Sequence, residues 1–335
     1  MKKIRYVLAL AFLFSATTIF AQQEKQITEN KIFNHMDVAL NLGTTGIGFE
    51  LATPVTDWVQ LRTGFSFIPK FKPTINFDIQ VGDDPATSQS KFEQMSSILE
   101  GMLGNEVNNS IDMKGVPNFN NWTFLVDVFP FKSNRHWHFT AGFYLGSSTV
   151  ANAYNTTEDM PSLIAVDMYN NMYDYFVSEK YWDEPIYGDM FIDPDVGDAL
   201  RDKLSNYGRM GVNMGEYSHD ILNEKGEVVH KKGDKYLMTP DKNSMVKARV
   251  LVNKFKPYVG FGYGGRLLKN NDRAKVSFDC GVMMWGGTPS LVTHDGTDLI
   301  KDVDNVPGKV GDYADAISGL KVFPVLNLRL SYRLF

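Results

Sequence analysis

The sequence predicts an all-β membrane protein: an antiparallel, eight-stranded, up-and-down transmembrane β-barrel with long extracellular loops that contain short helices. Three observations carry that prediction. Eight segments of the 335-residue chain alternate apolar and polar residues with a period of two, the links between them alternate short and long, and the chain opens with an export-type leader. Composition narrows the field by exclusion. At 43% hydrophobic and 13% aromatic residues the chain is too apolar to be disordered. Its single cysteine, Cys280, excludes a disulfide framework and a multi-cysteine metal site. A balance of 34 basic against 39 acidic residues leaves no basic footprint for nucleic acid. A helical membrane protein needs runs of about 20 predominantly apolar residues. None follows the leader, because the nearest, 139–153, is broken by Ser147, Ser148, Thr149 and Asn152.

Residues 1–21, MKKIRYVLALAFLFSATTIFA, read as a cleaved signal peptide. Lys2, Lys3 and Arg5 form the basic start, 6–14 the short apolar stretch, and Ala21 the small residue at the cleavage point. No cysteine lies nearby, which excludes a lipoprotein anchor. The expected mature chain, 22–335, is a single barrel domain with 31 basic and 39 acidic residues. With one cysteine in an oxidising compartment, it holds together without internal bridges.

The eight strands are expected at about 36–42, 45–53, 58–68, 121–131, 136–146, 257–267, 275–285 and 324–334. Most match the roughly 9–11 residues that a tilted membrane-spanning strand needs. Successive side chains of a strand point to opposite sides. One face carries Leu40, Phe49, Leu61, Phe124, Phe139, Phe261, Phe278 and Leu328 with their period-two neighbours, and no charge. The other carries Asp37, Asn41, Glu50, Gln60, Arg62, Asp127, His138, Asp279, Asn327, Arg329, Arg333 and many glycines. Charges on one face of every strand are costly in a β-sandwich, whose inner face is apolar, and suit a barrel with lipid outside and a polar interior. Glu50, Asp127 and Asp279 are expected to neutralise Arg62, Arg329 and Arg333 there.

The links after the second, fourth and sixth strands are short (54–57, 132–135, 268–274), while those after the third, fifth and seventh are long (69–120, 147–256, 286–323). Turns on one side and loops on the other is the ordering of outer-membrane barrels. The chain ends LNLRLSYRLF, an alternating strand finishing on an aromatic, with Tyr332 and Leu334 on the apolar face and Phe335 one position out of phase. This ending is similar to the signal by which such barrels are recognised for assembly. Together with the leader and loop pattern, the chain resembles the OmpA-like or porin-like outer-membrane β-barrel superfamily, in the form common in Bacteroidetes. The resemblance covers the strands and not the loops. It implies a fold, a location in the cell outer membrane, and contact with outer-membrane lipid and, through the C-terminal strand, with the barrel assembly machinery. It implies no single function, because one fold hosts many.

Within the loops, the stretch from Pro161 places Met168, Tyr169, Met172, Tyr173 and Phe176 at helical spacing, and Val196, Leu200 and Leu204 lie one turn apart with Gly208 as a stop. Residues 88–103 form a weaker helix. The tyrosine-rich 169–187 stretch could stack sugars, but it is expected to be an amphipathic helix packing on the barrel rim. Residues 221–239 read as an external hairpin or small sheet that could run into 246–252; if it spanned the membrane the count would be ten, but Lys231, Lys232, Asp234 and Lys235 leave no apolar face. The loops are acidic, with 7 acids against 4 bases in 69–120, 18 against 9 in 148–245, and 6 against 2 in 286–320. Solvation explains that bias. Asp193, Asp195 and Asp198, or Asp302 and Asp304, would be the calcium candidates, though neither run has EF-hand spacing.

Two further motifs are set aside. Gly260, Gly262, Gly264 and Gly265 imitate a nucleotide loop, yet they alternate with aromatics inside one strand rather than opening a helix; they are read as room for large side chains inside a narrow barrel. His138 and Ser66 both face inward, and no GxSxG elbow is present. No catalytic, cofactor-binding or metal-binding residue is assigned, and no cofactor. Eight strands leave an interior that side chains fill, so the expected role is structural, or binding of an unidentified extracellular ligand by the loops. A small porin-like channel is the alternative, followed by a lipid-modifying enzyme and a secreted β-sandwich.

Overall fold

The computed structural model describes residues 33–131, 134–268 and 271–335. The leader expected over 1–21 lies outside them. In chain order the elements are β1 (Asp37–Gly43), β2 (Gly46–Thr56), β3 (Val59–Phe67), β4 (Thr74–Val81), α1 (Pro85–Leu103), β5 (Ser110–Pro117), β6 (Asn120–Val128), β7 (Trp137–Gly146), β8 (Thr149–Asn155) and α2 (Met160–Val177). They continue with α3 (Pro194–Tyr207), β9 (Met210–Tyr217), β10 (Ile221–Leu222), β11 (Val228–His230), β12 (Lys235–Met238), β13 (Lys247–Leu251), β14 (Phe255–Leu268), β15 (Asn271–Met283), β16 (Ser290–Thr293), β17 (Val303–Asp304), α4 (Gly308–Gly319) and β18 (Phe323–Arg333). No helix among the described residues is long and apolar enough to cross a membrane.

Eight strands close an antiparallel barrel in the order β1-β18-β15-β14-β7-β6-β3-β2. They are the eight segments that the period-two pattern marks, with shifted ends; 129–131 falls outside β6, where Pro130 offers no backbone donor. Leu40 stands opposite Leu330 and Phe49, and Leu328 opposite Leu42 and Phe278, so the apolar positions of neighbouring strands share one face. That face points outward: Phe49 is 59% exposed, Phe139 56% and Leu328 47%. Polar side chains fill the inside, including buried Arg62, Asp127 and His138. A closed ladder with an apolar exterior and a charged interior is a membrane-spanning barrel.

The long loops are not loops. They build a second antiparallel sheet, β12-β9-β4-β5-β8-β13-β16, with β17 beside β9. This sheet grows out of the barrel wall: β5, β8, β13 and β16 each adjoin a barrel strand in sequence and keep the neighbour order of β6, β7, β14 and β15. The register runs up to the joint, where a one-residue bulge between Val250 and Leu251 shifts it. Leu145 pairs with Phe255, and four residues on in each strand Thr149 pairs with Leu251. Likewise the Tyr258–Met283 pair and the Leu251–Ser290 pair are seven residues apart on both strands. Backbone bonds bridge the gap, Asn118 to Val150 and Val252 to Ser148, both at 2.8 Å.

Helices α1, α2 and α3 cover this upper sheet around a core that includes Val81, Phe92, Leu163, Tyr169, Phe176, Met210 and Val212. Asp84 accepts a bond from Ala86 N at 3.0 Å and starts α1 three residues before the expected helix, with Pro85 in its first turn. Asp193 caps α3 in the same way, and Gly208 ends it. The tyrosine-rich helix departs from expectation. α2 packs on α3 and β9, not on the barrel rim: Asn170 both donates to and accepts from the Met210 backbone, and the Tyr169 hydroxyl donates to Gly208 O at 2.7 Å. The 221–239 segment also divides. β10 pairs only with β11, whereas β12 joins β9, and neither enters the barrel, so the count stays at eight.

The outward face makes a direct prediction. Leu328→Arg, at the middle of β18, should lower stability in lipid vesicles by about 2–4 kcal/mol, read as a shift in the urea unfolding midpoint. A change within error would mean that this face does not meet lipid.

Candidate functional site: the barrel interior and the domain above it

Arg62, on β3, is the centre of the lumen. It is 3% exposed and faces three carboxylates: its Nη1 lies 2.8 Å from Asp279 and 3.7 Å from Glu50, and its Nε 3.2 Å from Asp127. Arg329 adds longer contacts, 3.9 Å to Glu50 and 3.8 Å to Asp127, and donates through Nε to Ser277 at 3.0 Å. Thr140 donates to Asp127 at 2.8 Å, and His138 Nε2 sits 2.9 Å from Asp279. The expected network therefore forms from five of its six members. Arg333 is the exception: near the chain end it is carried away from this layer and lies 3.7 Å from Asp37, which Lys275 also approaches at 3.7 Å.

The glycines make space for these groups. A Cβ on Gly262 would come within 2.4 Å of both the Asp279 carboxylate and the His138 ring. One on Gly281 would meet the Tyr258 hydroxyl at 2.5 Å. Burying charge is costly unless each group is paired and hydrogen-bonded; here each carboxylate of the layer faces a guanidinium.

Above the charges lies an apolar layer. Leu125, Tyr144, Tyr258, Met283 and Val325 point inward and pack with Phe119 and Phe323. The rings meet edge-on or tilted, Tyr144 and Tyr258 at 5.5 Å, Phe119 and Phe323 at 5.2 Å, and Trp285 and Phe323 at 5.2 Å. Trp285 donates to Leu320 O at 2.7 Å, tying α4 to this seal. Lys256, fully buried, donates to Asn121 and to Ser147 O at 3.1 and 3.2 Å. Below the charges, at the end with the short turns, a cavity of about 1000 Å³ opens, with Asp37, Gln60, Arg135, His136, Lys275 and Arg329 on its walls. The lumen is thus open at one end and filled from Arg62 upward.

Sequence reasoning places Ser66 and His138 inside, and both are buried. They are not brought together: Ser66 lines a small void with Asn41, Thr45 and Asn327, while His138 is held by Asp279 beneath it. Three of the five calcium candidates are engaged otherwise. Asp193 caps α3, Asp198 accepts from the Tyr181 hydroxyl and pairs with Arg201, Asp302 accepts from Asp298 N, and Asp304 lies in β17 against Glu216. Among the described residues no three His, Cys, Asp or Glu side chains are grouped to hold a metal.

Carboxylates do hold the β16 hairpin. Burial tends to raise the Asp295 carboxyl, but bonds from Thr293 and Tyr236 outweigh it and keep the group below its ordinary value. For Asp298 burial again opposes, and the ammonium of Lys301 together with backbone N–H donors of Leu291 and Ile300 prevails. Burial pushes the Tyr236 hydroxyl well up, so it donates at any physiological pH.

No protein-family model matches the chain, and no curated protein matches it. Among solved structures it is similar to Acinetobacter baumannii CarO2, at 13% identity over 89% of this chain and 98% of that one, with a TM-score of 0.34. It is also similar to CarO from the same organism, at 14% identity over 91% of this chain and 99% of that one, with a TM-score of 0.35.

Arg62→Ala should destabilise the barrel by about 3–5 kcal/mol, because it strands three buried carboxylates; loss of the temperature at which the folded band disappears on unboiled electrophoresis reads the effect. The β16 hairpin makes a pH prediction. Asp295 and Asp298 titrate lower in the folded protein, so their stabilisation is complete above the unfolded value of about 3.9 and is lost as pH falls through the depressed values. Hydrogen-exchange protection of 290–302 should drop below about pH 4, and Asp295→Asn with Asp298→Asn should remove that acid dependence.

Proposed function

We propose that this chain is an integral outer-membrane protein in which the barrel is an anchor and the folded domain above it is the working part, carried outside the cell to bind a ligand or partner. The observation that carries this reading is that β6, β7, β14 and β15 run on, in the same neighbour order, into β5, β8, β13 and β16, with one-residue irregularities at the joint. A domain continuous with the wall is held rigidly above the membrane. The filled lumen supports the same reading, since the charged layer and the aromatic layer occupy the path a solute would take. Outer-membrane barrels of this kind turn their short links to the periplasm and their long ones outward; the acidic surface of the domain suits an aqueous exterior.

A small channel is the second reading, favoured by the cavity that reaches up to Arg329 from the turn end. Planar bilayers separate the two. The anchor reading expects no steady conductance from the intact chain, and a stable ohmic step would sink it. Orientation is tested on intact cells in a Cys280→Ser background. A membrane-impermeant maleimide should label Lys225→Cys, in the β10–β11 turn, and spare Asn134→Cys, in the β6–β7 link. The opposite pattern would place the domain in the periplasm.

A further inference from the structure

We propose that a cleft in the upper sheet binds a neutral saccharide; the inference rests on the outward-facing domain of the proposed function and names what that domain holds. The cleft lies along β4, which stands between β5 and β9 in the sheet. Thr74 to Asp78 pair with β5, whereas Ile79 to Val81 pair with β9. A cavity of about 510 Å³ lies beside this stretch of β4, bordered by the first turns of α1 and α4. That volume falls within the roughly 300–1,000 Å³ of small-ligand sites.

Its walls are rich in amides. Asn76, Asp78 and Gln80 occupy alternate positions of β4 and so share a face. Asn213 comes from β9, Asn109 from the turn before β5, and Gln89 from α1. These groups are fixed before any ligand arrives. Asn213 donates to Gln80 at 2.7 Å, the buried Gln80 donates to Gly82 O at 2.8 Å, Asn109 donates to Gln89 at 3.1 Å, and Asn76 donates to Asp112 at 2.9 Å. Each amide keeps a further donor or acceptor to offer, since it has two N–H groups and two lone pairs.

The chemistry of the walls selects the ligand. One carboxylate, Asp78, and one ammonium, Lys309, line the cleft, so it carries no cationic cluster for a phosphate or nucleotide. An apolar ligand would cover the amides without meeting their remaining donors and acceptors, which is costly. A sugar hydroxyl donates and accepts at once, as the amides do, and a carboxylate accepts from two neighbouring hydroxyls. Pro307 and Val310 supply an apolar edge for the C–H face of the ring.

The test uses the full chain in lauryldimethylamine oxide micelles, a detergent without a sugar head group. Lactose, maltose, cellobiose and diacetylchitobiose are titrated by calorimetry and by saturation-transfer NMR. At least one should bind with a Kd of about 1 mM or tighter, weakened by about tenfold or more in Asp78→Ala and in Asn213→Ala, and unchanged in Lys225→Ala, on the distant hairpin. Two cleft variants guard against one that fails to fold, and far-ultraviolet circular dichroism checks both. No binding by any of the four sugars, or binding that both folded cleft variants retain, overturns the proposal. Because the purified protein binds or fails to bind whichever way it faces in a cell, this result is independent of the maleimide labelling that tests the domain's orientation.

Discussion

Closure of one backbone ladder governs the rest of this molecule. In hydrocarbon, every N–H and C=O must find its partner within the protein. The chain meets that demand by returning β18 to β1, Asp37 opposite Arg333 through Gly43 opposite Asn327. Once the ring is closed at eight strands, side-chain direction is fixed by alternation, and each residue faces either lipid or lumen. Phe49, Phe139 and Leu328 go out; Glu50, Arg62 and Asp279 go in. From Arg62 upward the lumen has room for side chains and little else, so the charges around Arg62 meet each other.

That confinement explains the arrangement around Arg62. Its planar guanidinium presents several donors in fixed directions, and three carboxylates from β2, β6 and β15 converge on it. Larger residues at Gly262 or Gly281 would collide with this layer or with Tyr258. The aromatic seal above completes the filling, and it is built jointly by barrel residues and by Phe119 and Trp285 from the approaches to the domain. Lumen and domain therefore share a floor.

The sequence made the barrel legible because its two faces meet opposite solvents, and alternation is strongest where that contrast is greatest. The upper sheet was opaque for the converse reason. β9, MGVNMGEY, is buried on both faces, with Met210, Gly211, Val212, Met214 and Gly215 all enclosed, so no period of two survives. β4 does alternate, yet it is short and lies within a stretch read as loop. The helices α1 to α3 were visible from their caps and spacing, whereas their packing partner was not: nothing local says that Asn170 will clip Met210. The network around Arg62 could be drawn from the list of inward charges, but Arg333 shows its limit, because height along the barrel depends on strand tilt. The amide cleft had no local signal at all, since Gln80 and Asn213 lie far apart in sequence on strands that only the fold makes neighbours.

The joint between wall and domain has a consequence for assembly. Strands with a period of two exchange their faces when their pairing slips by one residue. Leu145 opposite Phe255 continues without offset into Thr149 opposite Leu251, and a one-residue bulge between Val250 and Leu251 follows, so a slip in the lipid-embedded part can be absorbed at this joint while β8 and β13 keep their facing.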